Sequence, residues 1–529
     1  MSDGTMVAAD GRPLKASLNR ALRRQKMRAL MLIAPLLLFI LITFIWPIAQ
    51  MLFRSVENQI VSDTLPTTVE ALADWNADDG EAPGQDVFYA LAQDMMAAVE
   101  RKDHTKLGSR LNYEQSGIAS LFRKSGRKVD EIGEGYADQF MELDEAWESG
   151  ETFAVLLGDP DWVGRAASDY IPFEPNAAVA AELPLTTAAF ASFAKTVWQE
   201  DGDNPFGEDA WFTVHLALYE DLNAGGTVEG NALVEQAASE VAGFETEDIR
   251  STFADIEEDW LDPEVWRTIQ TYSGDFTNGY FLNSVDLQKT ADGSEWRPDD
   301  ERIYLTLFWR TMVMSFVITC SCILLGYPIA WLLANLPMRT ANILMILVLL
   351  PFWTSLLVRT SAWKVLLQQQ GVINETLVWL GLVATDDRLA LINNATGTII
   401  AMTHILLPFM ILPLYSVMKT IPPSYLRAAK SLGATNWTAF GRVYFPQSVP
   451  GIGAGSILVF ILAIGYYITP EIVGGTKGVF ISNRIAYHIS SSLNWGLAAA
   501  LGSILLAVVL IFYWMYDKIV GIDNVKLGG

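Results

Sequence analysis

The 529-residue chain has only two cysteines and four histidines, which limits the chemistry that it can carry out. Cys320 and Cys322 lie two residues apart in an apolar segment, so their side chains point to different faces of a helix. That spacing predicts neither a disulfide nor a metal pair, but two small core residues. The stretch 54–302 has no cysteine and only His104 and His215, so metal sites and cysteine-based catalysis are not expected there.

The sequence also lacks a nucleotide-binding loop, and charged pairs inside its apolar segments are sparse. No Gly-x4-Gly-Lys-Ser/Thr pattern occurs, and the GGTKG run at 474–478 has the wrong spacing. We therefore expect no catalytic residue, no metal and no cofactor in this chain. The sparseness of paired intramembrane charges disfavours an ion-coupled secondary transporter.

Long apolar runs, in contrast, are abundant: 51% of the residues are hydrophobic and the mean hydropathy is +0.25. Length alone would suggest several soluble domains, but runs of membrane-spanning length override that estimate. We predict six spans, at residues 29–53, 311–336, 341–358, 396–418, 449–472 and 497–516.

Charge is distributed unevenly along the chain, whose formal net charge is −24. The stretch 54–302 holds 52 of the 60 acidic residues but only 16 of the 36 basic ones. An acidic soluble domain is therefore predicted between the first and second spans of a mildly basic membrane protein. The predicted organisation is an N-terminal tail at 1–28, a first span at 29–53, the inserted domain at 54–302 and a membrane core at 303–529.

The basic residues outside the insert predict the orientation of the spans. Because lysine and arginine concentrate on the cytoplasmic side, a basic N-terminal tail places that terminus inside the cell. Counting spans from there puts the C-terminus inside and 54–302 outside, and it also places Arg339, the loop 419–442 and the basic residues after the last span on the cytoplasmic side. The first apolar run is too long for a cleaved signal peptide and predicts a retained anchor. The residues used are Lys15, Arg20, Arg23, Arg24, Lys26, Arg28, Arg339, Lys419, Arg427, Lys430, Arg442, Lys518 and Lys526.

Helical periodicity dominates the inserted domain. It is present at 87–99, 138–147, 187–198, 232–241 and 249–260, and no alternating strand pattern or internal repeat is evident. Eight of the chain's 17 tryptophans lie in this domain. They are interpreted as core residues, and the carboxylates as a solvated surface, in preference to a cation site built from both.

A distinctive pattern, LRAAKSLGATNWTAFGRVYFPQSVPG, occupies 426–451 between two apolar runs. Ser424 is a predicted cap for a short helix, and Gly433 stands where a helix end needs a left-handed residue. Thr435 is predicted to begin a second helix with one apolar side, which Pro446 would end. The segment is thus predicted to be a bent pair of amphipathic helices on one membrane face. An ordinary amphipathic hairpin on the membrane surface is an alternative interpretation. A DNA-reading helix-turn-helix is another, but the loop is not rich in lysine or arginine and is joined to spans at both ends.

That spacing resembles the coupling loop of ABC-importer permeases, in which Glu-Ala-Ala precedes a glycine by three residues and Ile-x-Leu-Pro follows nine residues later. Arginine stands here where that family often has glutamate. The resemblance implies that the loop 420–448 docks on ATPase subunits. The matching positions are Leu426, Arg427, Ala428, Ala429, Gly433, Val443, Phe445 and Pro446.

The membrane core resembles the permeases of spermidine/putrescine-type polyamine importers. The matching motifs are Tyr-Pro-x-Ala-Trp at 327–331, Pro-Phe-Trp-Thr at 351–354 followed by Arg359, and Thr-Pro-acid-x-x-Gly-Gly at 469–475. The resemblance implies an all-α membrane protein with the six-helix type I importer permease fold and a mostly helical periplasmic insert. It further implies a multi-pass protein of the bacterial inner membrane.

The resemblance also implies partners and a transport path. A second permease subunit, two ATP-binding subunits that supply the ATP site, and a periplasmic substrate-binding protein would complete the transporter in the lipid membrane. No nucleic-acid partner is expected. Prolines at 328, 351, 408 and 413 are predicted to interrupt membrane helices along the path. The candidate path residues are Trp353, Thr354, Arg359, Tyr466, Tyr467 and Glu471.

Two interpretations of the path residues and two of the whole protein stay open. Glu471 beside two tyrosines suits an ammonium group, although tyrosines at a span end also serve as interfacial anchors. His404 is interpreted as a helix-packing hydrogen bonder in preference to a proton carrier. The cargo is predicted to be a polyamine, with another cargo such as an amino acid or opine as the alternative. A membrane receptor or scaffold with a ligand-binding external domain is the competing class.

Overall fold

The structure is a computed structural model, and it describes residues 14–166, 171–290 and 293–520. The chain folds as two compact units. One contains the segments 1–56, 283–286 and 297–529, and the other contains 57–282 and 287–296. The predictions for residues 1–13 and for Lys526 lie outside the described residues.

The first unit is built from long apolar helices. Among the described residues, five helices are long and apolar enough to cross a membrane, or six if one bent pair is counted as a single span. The chain is therefore an all-α, multi-pass membrane protein with a helical insert, as predicted. The candidate spans are Gln25–Arg54, Tyr304–Asn335, the pair Met338–Trp353 and Leu356–Leu366, Ala395–Thr420, Asn436–Gly465 and Trp495–Lys518. Shorter helices at Val372–Trp379, Pro423–Ser431, Ile468–Val473, Gly475–Gly478 and Ile481–Ser490 connect them.

Three of these helices form the core of the membrane unit. Ala395–Thr420 packs against Tyr304–Asn335 and against Phe445–Gly465, and these two helices also contact each other. Glycines allow the close approach, because a Cβ on Gly455 would lie 2.6 Å from the Met410 sulfur. Small residues at such contacts let membrane helices gain packing energy without a hydrophobic driving force.

The prolines do not all interrupt their helices, which corrects the sequence prediction. Pro328, Pro408 and Pro413 lie inside continuous helices, where a membrane helix tolerates the lost hydrogen bond if neighbours satisfy the freed carbonyl. Only Pro351 stands at a break, in the 3-10 turn Leu350–Trp353, where the third span bends by 94°.

The second unit is mostly helical, with one antiparallel hairpin of Leu287–Thr290 and Gly293–Trp296 that the sequence did not predict. Trp147, Trp162, Trp260 and Trp266 are buried, as predicted for core residues. Trp198 and Trp296 are exposed, so the interpretation of the tryptophans as core residues is wrong for these two. The α-helices are Ile60–Thr64, Pro66–Ala71, Gln85–Glu100, Asp103–Leu111, Ile118–Ser125, Glu134–Leu143, Gly150–Leu157, Pro160–Ala166, Ala177–Glu182, Pro184–Thr196, Phe212–Asn223, Ala232–Glu240, Ile249–Ile256, Pro263–Thr271 and Gly279–Ser284.

This unit contains two copies of one helical motif. In the first part of each copy, a short helix ends at a leucine and the next helix begins at the proline that follows. Leu65 has φ −124° and ψ 54° before Pro66, and Leu183 has φ −126° and ψ 63° before Pro184. Proline suits the first position of a helix because its missing N–H would have no partner there.

An aspartate from the next long helix closes both turns in the same way. The Thr68 backbone N–H and hydroxyl each donate to Asp94 Oδ2 at 2.7 Å. The Thr186 backbone N–H and hydroxyl each donate to Asp221 Oδ2, also at 2.7 Å. A carboxylate at a helix N-terminus satisfies unpaired N–H groups and interacts favourably with the helix dipole.

The last part of each copy is a tryptophan-containing 3-10 turn between two helices. Trp147 lies in Glu145–Glu148 and Trp260 lies in Glu258–Leu261. The residues before the two turns have φ −160°, ψ 127° and φ −157°, ψ 118°. The order of these parts is the same in both copies, so the prediction of no internal repeat was wrong.

The two copies pack against each other through equivalent core residues. Phe88 of the first copy packs against Trp266 of the second, with ring centroids 5.0 Å apart. His215, the equivalent residue of the second copy, packs against Phe153 of the first at 5.1 Å. Reciprocal contacts of this kind are those that a two-fold relation between two copies produces.

Two equivalent β-bridges occur in the insert, one at the junction of the two copies and one where its two ends meet. Gly158 forms an antiparallel bridge with Pro175, where the first copy passes to the second. The equivalent bridge joins Glu57 and Phe276, where the chain enters and leaves the duplicated region. A domain with adjacent ends can be inserted between two helices without forcing them apart.

Candidate functional site

The loop between the fourth and fifth spans begins with the helix Pro423–Ser431, whose cap residue is Pro422 and not the predicted Ser424. The helix ends in a Schellman motif. The Gly433 N–H donates to the Lys430 carbonyl at 3.0 Å, and the Ala434 N–H donates to the Ala429 carbonyl at 3.1 Å. Gly433 has φ +89°, the left-handed backbone that its position predicts.

The second half of the loop continues directly into the fifth span. Thr435 caps it, because its hydroxyl accepts a bond of 3.2 Å from the Thr438 N–H. Pro446 does not end this helix, which corrects the prediction. Residues 440–444 form a π-helical segment just before it, so the missing proline N–H falls where the helical bonding pattern is already altered. The same arrangement occurs at 41–45 before Pro47.

The loop presents apolar side chains that no other described part of the chain covers. Leu432 and Trp437 are 89% and 84% exposed. The predicted coupling residues lie along this surface. Arg427, Ala428, Gly433, Phe445 and Pro446 are exposed, and Leu426, Ala429 and Val443 are half-buried.

The underside of the loop is fixed to the second span. The Tyr327 hydroxyl lies 2.9 Å from the Ser448 hydroxyl, and the Tyr327 ring packs edge-on against Phe440 at 6.2 Å. Tyr444, behind them, is buried. A force on the loop would therefore reach both the second and the fifth spans through packed side chains, which are stiff.

Glu471 lines a cavity of about 510 Å³ near the beginning of the second span. Its carboxylate accepts a hydrogen bond of 2.6 Å from the Asn483 side chain. The same cavity is lined by Arg302, Arg310 and Arg484, so its charge is more positive than the sequence prediction of an ammonium site assumed.

Arg359 lies in the second arm of the bent third span, on the helix Leu356–Leu366. That helix packs against Ile468–Val473, with the Thr360 and Thr469 hydroxyls 3.1 Å apart. The structure thus brings the helix of Arg359 close to the segment that carries Tyr466, Tyr467 and Glu471. Trp353 and Thr354 lie at the bend, and Trp353 is 75% exposed.

The sequence did not single out Trp363 as a partner of His404. The Trp363 indole N–H donates to His404 Nδ1 at 3.1 Å, which confirms that this histidine forms a hydrogen bond between helices. Sequence spacing could not have suggested the pair, because Trp363 and His404 lie on different spans. Asn483, which holds Glu471, could not have been found by spacing either, because it lies on another helix.

The multi-pass helical fold belongs to a membrane permease, and the matches below show the permease subunit of an ABC importer. Residues 315–520 match the family described as the binding-protein-dependent transport system inner membrane component. The chain is 36% identical to the spermidine/putrescine transport system permease protein PotB of Salmonella typhimurium over 220 residues, 41% of this chain and 76% of that one. It is 35% identical to PotB of Escherichia coli, over 41% of this chain and 79% of that one. It is 34% identical to the inner membrane ABC transporter permease protein YdcU of Escherichia coli, over 38% and 69%.

The chain belongs to the binding-protein-dependent transport system inner membrane component family. Members of this family are transport permeases of the inner membrane and not a class of enzymes. The match begins after the insert, so the duplicated helical unit lies outside the region that this family describes.

Proposed function

We propose that this chain forms half of the pore of a polyamine importer and transmits conformational change from two ATP-binding subunits to that pore. The observation that carries the proposal is the exposed loop 420–448. Its inner side packs against Tyr327 of the second span, and its outer side presents the exposed apolar side chains of Leu432 and Trp437. A second permease subunit would complete the pore, and a periplasmic binding protein would deliver the cargo. ATP would be bound by the partner subunits only.

The docking role rests on the shape of the loop. Its small residues Ala428, Ala429 and Gly433 let a partner backbone approach closely, and Leu432 and Trp437 offer apolar anchors. Closure of the ATPase subunits on ATP binding would favour one pore conformation, because a ligand shifts an equilibrium toward the state that it binds better. A receptor or scaffold would have no use for such a loop.

The polyamine assignment is supported by the two PotB relatives and by the acidic insert. A second candidate cargo is a solute with a carboxylate, such as an amino acid or opine. The observation that favours it is the set of three arginines, Arg302, Arg310 and Arg484, in the cavity beside Glu471. Cargo bearing a carboxylate would be held there, whereas a polycation would be repelled.

The test is reconstitution of the full complex in proteoliposomes with its co-expressed partner subunits and binding protein. We expect both ATP-binding subunits to co-purify and spermidine with its binding protein to stimulate ATP hydrolysis. Uptake of labelled spermidine would then exceed uptake of labelled glutamate. Preferential glutamate uptake would support the second cargo, and failure of any ATP-binding subunit to co-purify would support the receptor.

The proposed orientation places both termini in the cytoplasm and the insert in the periplasm. In a variant with Cys320→Ala and Cys322→Ala, cysteine at the exposed Asp203 should react with an impermeant maleimide in intact cells. Cysteine at the exposed Ser424 should react only after lysis. The reverse pattern would show that the orientation is wrong.

A further inference from the structure

The cavity that contains Glu471 lies where the ends of three spans meet. Arg310 comes from the second turn of the second span, Glu471 from the short helix after the fifth, and Arg484 from the short helix before the sixth. The apolar run of the second span begins directly after Arg310, so this arginine lies at the boundary of the hydrocarbon core. The cavity is therefore placed at the level of the lipid headgroups.

Two arginines of this cavity keep hydrogen-bond donors for a ligand. Arg310 and Arg484 are half-buried, and within the described ranges neither forms an ion pair with a carboxylate. Arg310 Nη1 donates to the Thr476 carbonyl at 2.9 Å. The Arg484 guanidinium lies 5.6 Å from the centroid of the Tyr487 ring. Since a guanidinium has five N–H donors, both side chains can bind an oxyanion as well.

Glu471 adds a negative charge to the same cavity. Its carboxylate accepts a hydrogen bond of 2.6 Å from the buried Asn483 side chain, but the residue is exposed and keeps further acceptor sites. Arg302, the third arginine of the lining, is paired with Asp299 at 2.6 Å. A ligand would therefore meet two guanidinium groups and one carboxylate, which suits a molecule that carries both a phosphate and an ammonium group.

An exposed apolar helix face adjoins the cavity. Leu305, Trp309 and Phe316 are 43%, 73% and 63% exposed. Their spacing of four and seven residues puts them on one side of the second span, next to the face that carries Arg310. Trp309, like Tyr487 in the cavity, is of the aromatic type that occupies the membrane–water interface. A headgroup in the cavity could therefore lay its acyl chains along this face.

We propose that this cavity binds the phosphoethanolamine headgroup of a membrane phospholipid. Arg310 and Arg484 hold the phosphodiester, and Glu471 pairs with the ammonium group. At about 510 Å³, the cavity is within the range of roughly 300–1,000 Å³ that small-ligand sites occupy. The bilayer around the spans supplies phosphodiesters at this depth, so the ligand needs no partner subunit. The proposal therefore depends on the spans and not on the proposed function.

The first test uses the delipidated full-length protein in detergent, with lipid binding measured by native mass spectrometry. The probes are phosphatidylethanolamine, phosphatidylglycerol and phosphatidylcholine with the same acyl chains. We expect phosphatidylethanolamine to bind at least about fivefold more tightly than the other two, because only its headgroup has ammonium N–H donors for Glu471. Equal affinity for the three lipids would overturn the proposal. Displacement of the lipid by inorganic phosphate or by glutamate would assign the cavity to a soluble anion instead.

The second test compares variants of the same protein. Arg310→Gln combined with Arg484→Gln should weaken phosphatidylethanolamine binding by about tenfold or more, whereas lysine at both positions should retain most of it. Glu471→Gln should remove the preference over phosphatidylglycerol. Lys477→Gln is the matched control, since Lys477 is an exposed cation that does not line the cavity.

Two results keep the outcomes apart. If the double glutamine variant inserts normally and binds phosphatidylethanolamine as tightly as the parent, the headgroup site does not exist. Lipid binding is measured without ATP-binding subunits, so a failure of those subunits to co-purify would count against the proposed function alone.

Discussion

Asp94 and Asp221 hold the same position in the two copies of the motif within the insert. Each is the tenth residue of its helix, counted from Gln85 and from Phe212. Each accepts a backbone N–H and a hydroxyl from a threonine at 2.7 Å. The two carboxylates therefore fasten equivalent helix starts.

The equivalence predicts equal effects of Asp94→Asn and Asp221→Asn. Burial raises the pKa of both carboxyls, and the threonine hydrogen bonds oppose that rise. Replacing one oxygen by an NH2 group loses acceptor capacity, so each variant should lose about 2 kcal/mol of local stability. Hydrogen exchange of the helices Pro66–Ala71 and Pro184–Thr196 in the full protein measures this loss.

The control is Asp255→Asn, at an exposed position of the same unit, which should change neither helix. Comparable losses in the two variants would support the structural equivalence. A large loss for one aspartate and none for the other would show that the two turns are not held in the same way.

The buried His215 should make the stability of the insert depend on pH. Phe88, the equivalent residue of the first copy, has no titratable group. Burial lowers the pKa of His215, although the carbonyls of Trp147 and Trp211, which lie 2.7 and 3.2 Å from its two ring nitrogens, oppose the shift. The unfolded chain therefore takes up a proton near pH 6.5 that the folded state refuses. Stability is full above that pH and falls as the pH drops below it, by up to about 1.4 kcal/mol per pH unit.

His215→Phe copies the residue found in the other half of the insert. It leaves the Trp147 carbonyl without its donor, which should cost about 1 kcal/mol at pH 7.5. Between pH 7 and pH 5 the variant should lose less stability than the parent, by thermal unfolding followed through tryptophan fluorescence. Parallel pH profiles for the two proteins would contradict the assignment of that dependence to His215.

The sequence predicts the membrane half of this protein far better than the insert. Span positions follow from apolar runs, and Gly433 follows from a local rule about helix ends. The duplication is hidden because equivalent residues lie 118 apart at Leu65 and Leu183, 127 apart at Asp94 and Asp221, and 113 apart at Trp147 and Trp260. Because the connecting loops differ in length, equivalent residues are not separated by a constant number of positions. Few residue types are the same in the two copies, among them this leucine, aspartate and tryptophan.

In the candidate site, too, the features set by consecutive residues could be predicted and those set by contacts between helices could not. The coupling loop could be predicted because its residues are consecutive, whereas the Trp363–His404 bond and the arginines around Glu471 depend on which helices meet. Pro446 was assigned to a helix end because proline removes a hydrogen bond. The π-helical segment ahead of it absorbs that loss, a compensation that propensity alone does not reveal.

Gly433 gives a prediction with a matched control inside the loop. A Cβ at Gly433 would touch nothing within 4 Å, and the same holds for Gly441, but only Gly433 has a positive φ. Gly433→Ala should therefore cost about 1 kcal/mol of local stability through backbone strain, and Gly441→Ala should not carry that strain. Gly433→Asp should in addition abolish uptake, because a carboxylate would be desolvated at a subunit contact.

The measurements are expression, membrane insertion and ATP-driven uptake of the reconstituted complex. The expected order of uptake is parent, then Gly433→Ala, with none for Gly433→Asp. Normal uptake by Gly433→Asp at normal expression would remove the case for docking at this position.

The insert itself gives the last prediction, that it delivers cargo or its binding protein to the pore mouth. Its excess of acidic residues would attract basic partners or cationic cargo, and this attraction would weaken as salt is added. The competing possibility is a stabilising cap with no role in delivery. Replacing 57–282 by a long Gly/Ser linker distinguishes the two.

The deletion must spare Asp286, whose carboxylate accepts the N–H groups of Ile303, Tyr304 and Leu305 and so caps the second span. Asp286→Asn in the full-length protein is the control for damage to that cap. If delivery is the role, the deletion variant should assemble normally but lose uptake affinity and most of its salt dependence. An acidic domain that attracts cargo cannot be removed without weakening uptake at low salt. If uptake affinity, its salt dependence and stimulation by the binding protein are all unchanged in the deletion variant, the insert is therefore a stabilising cap.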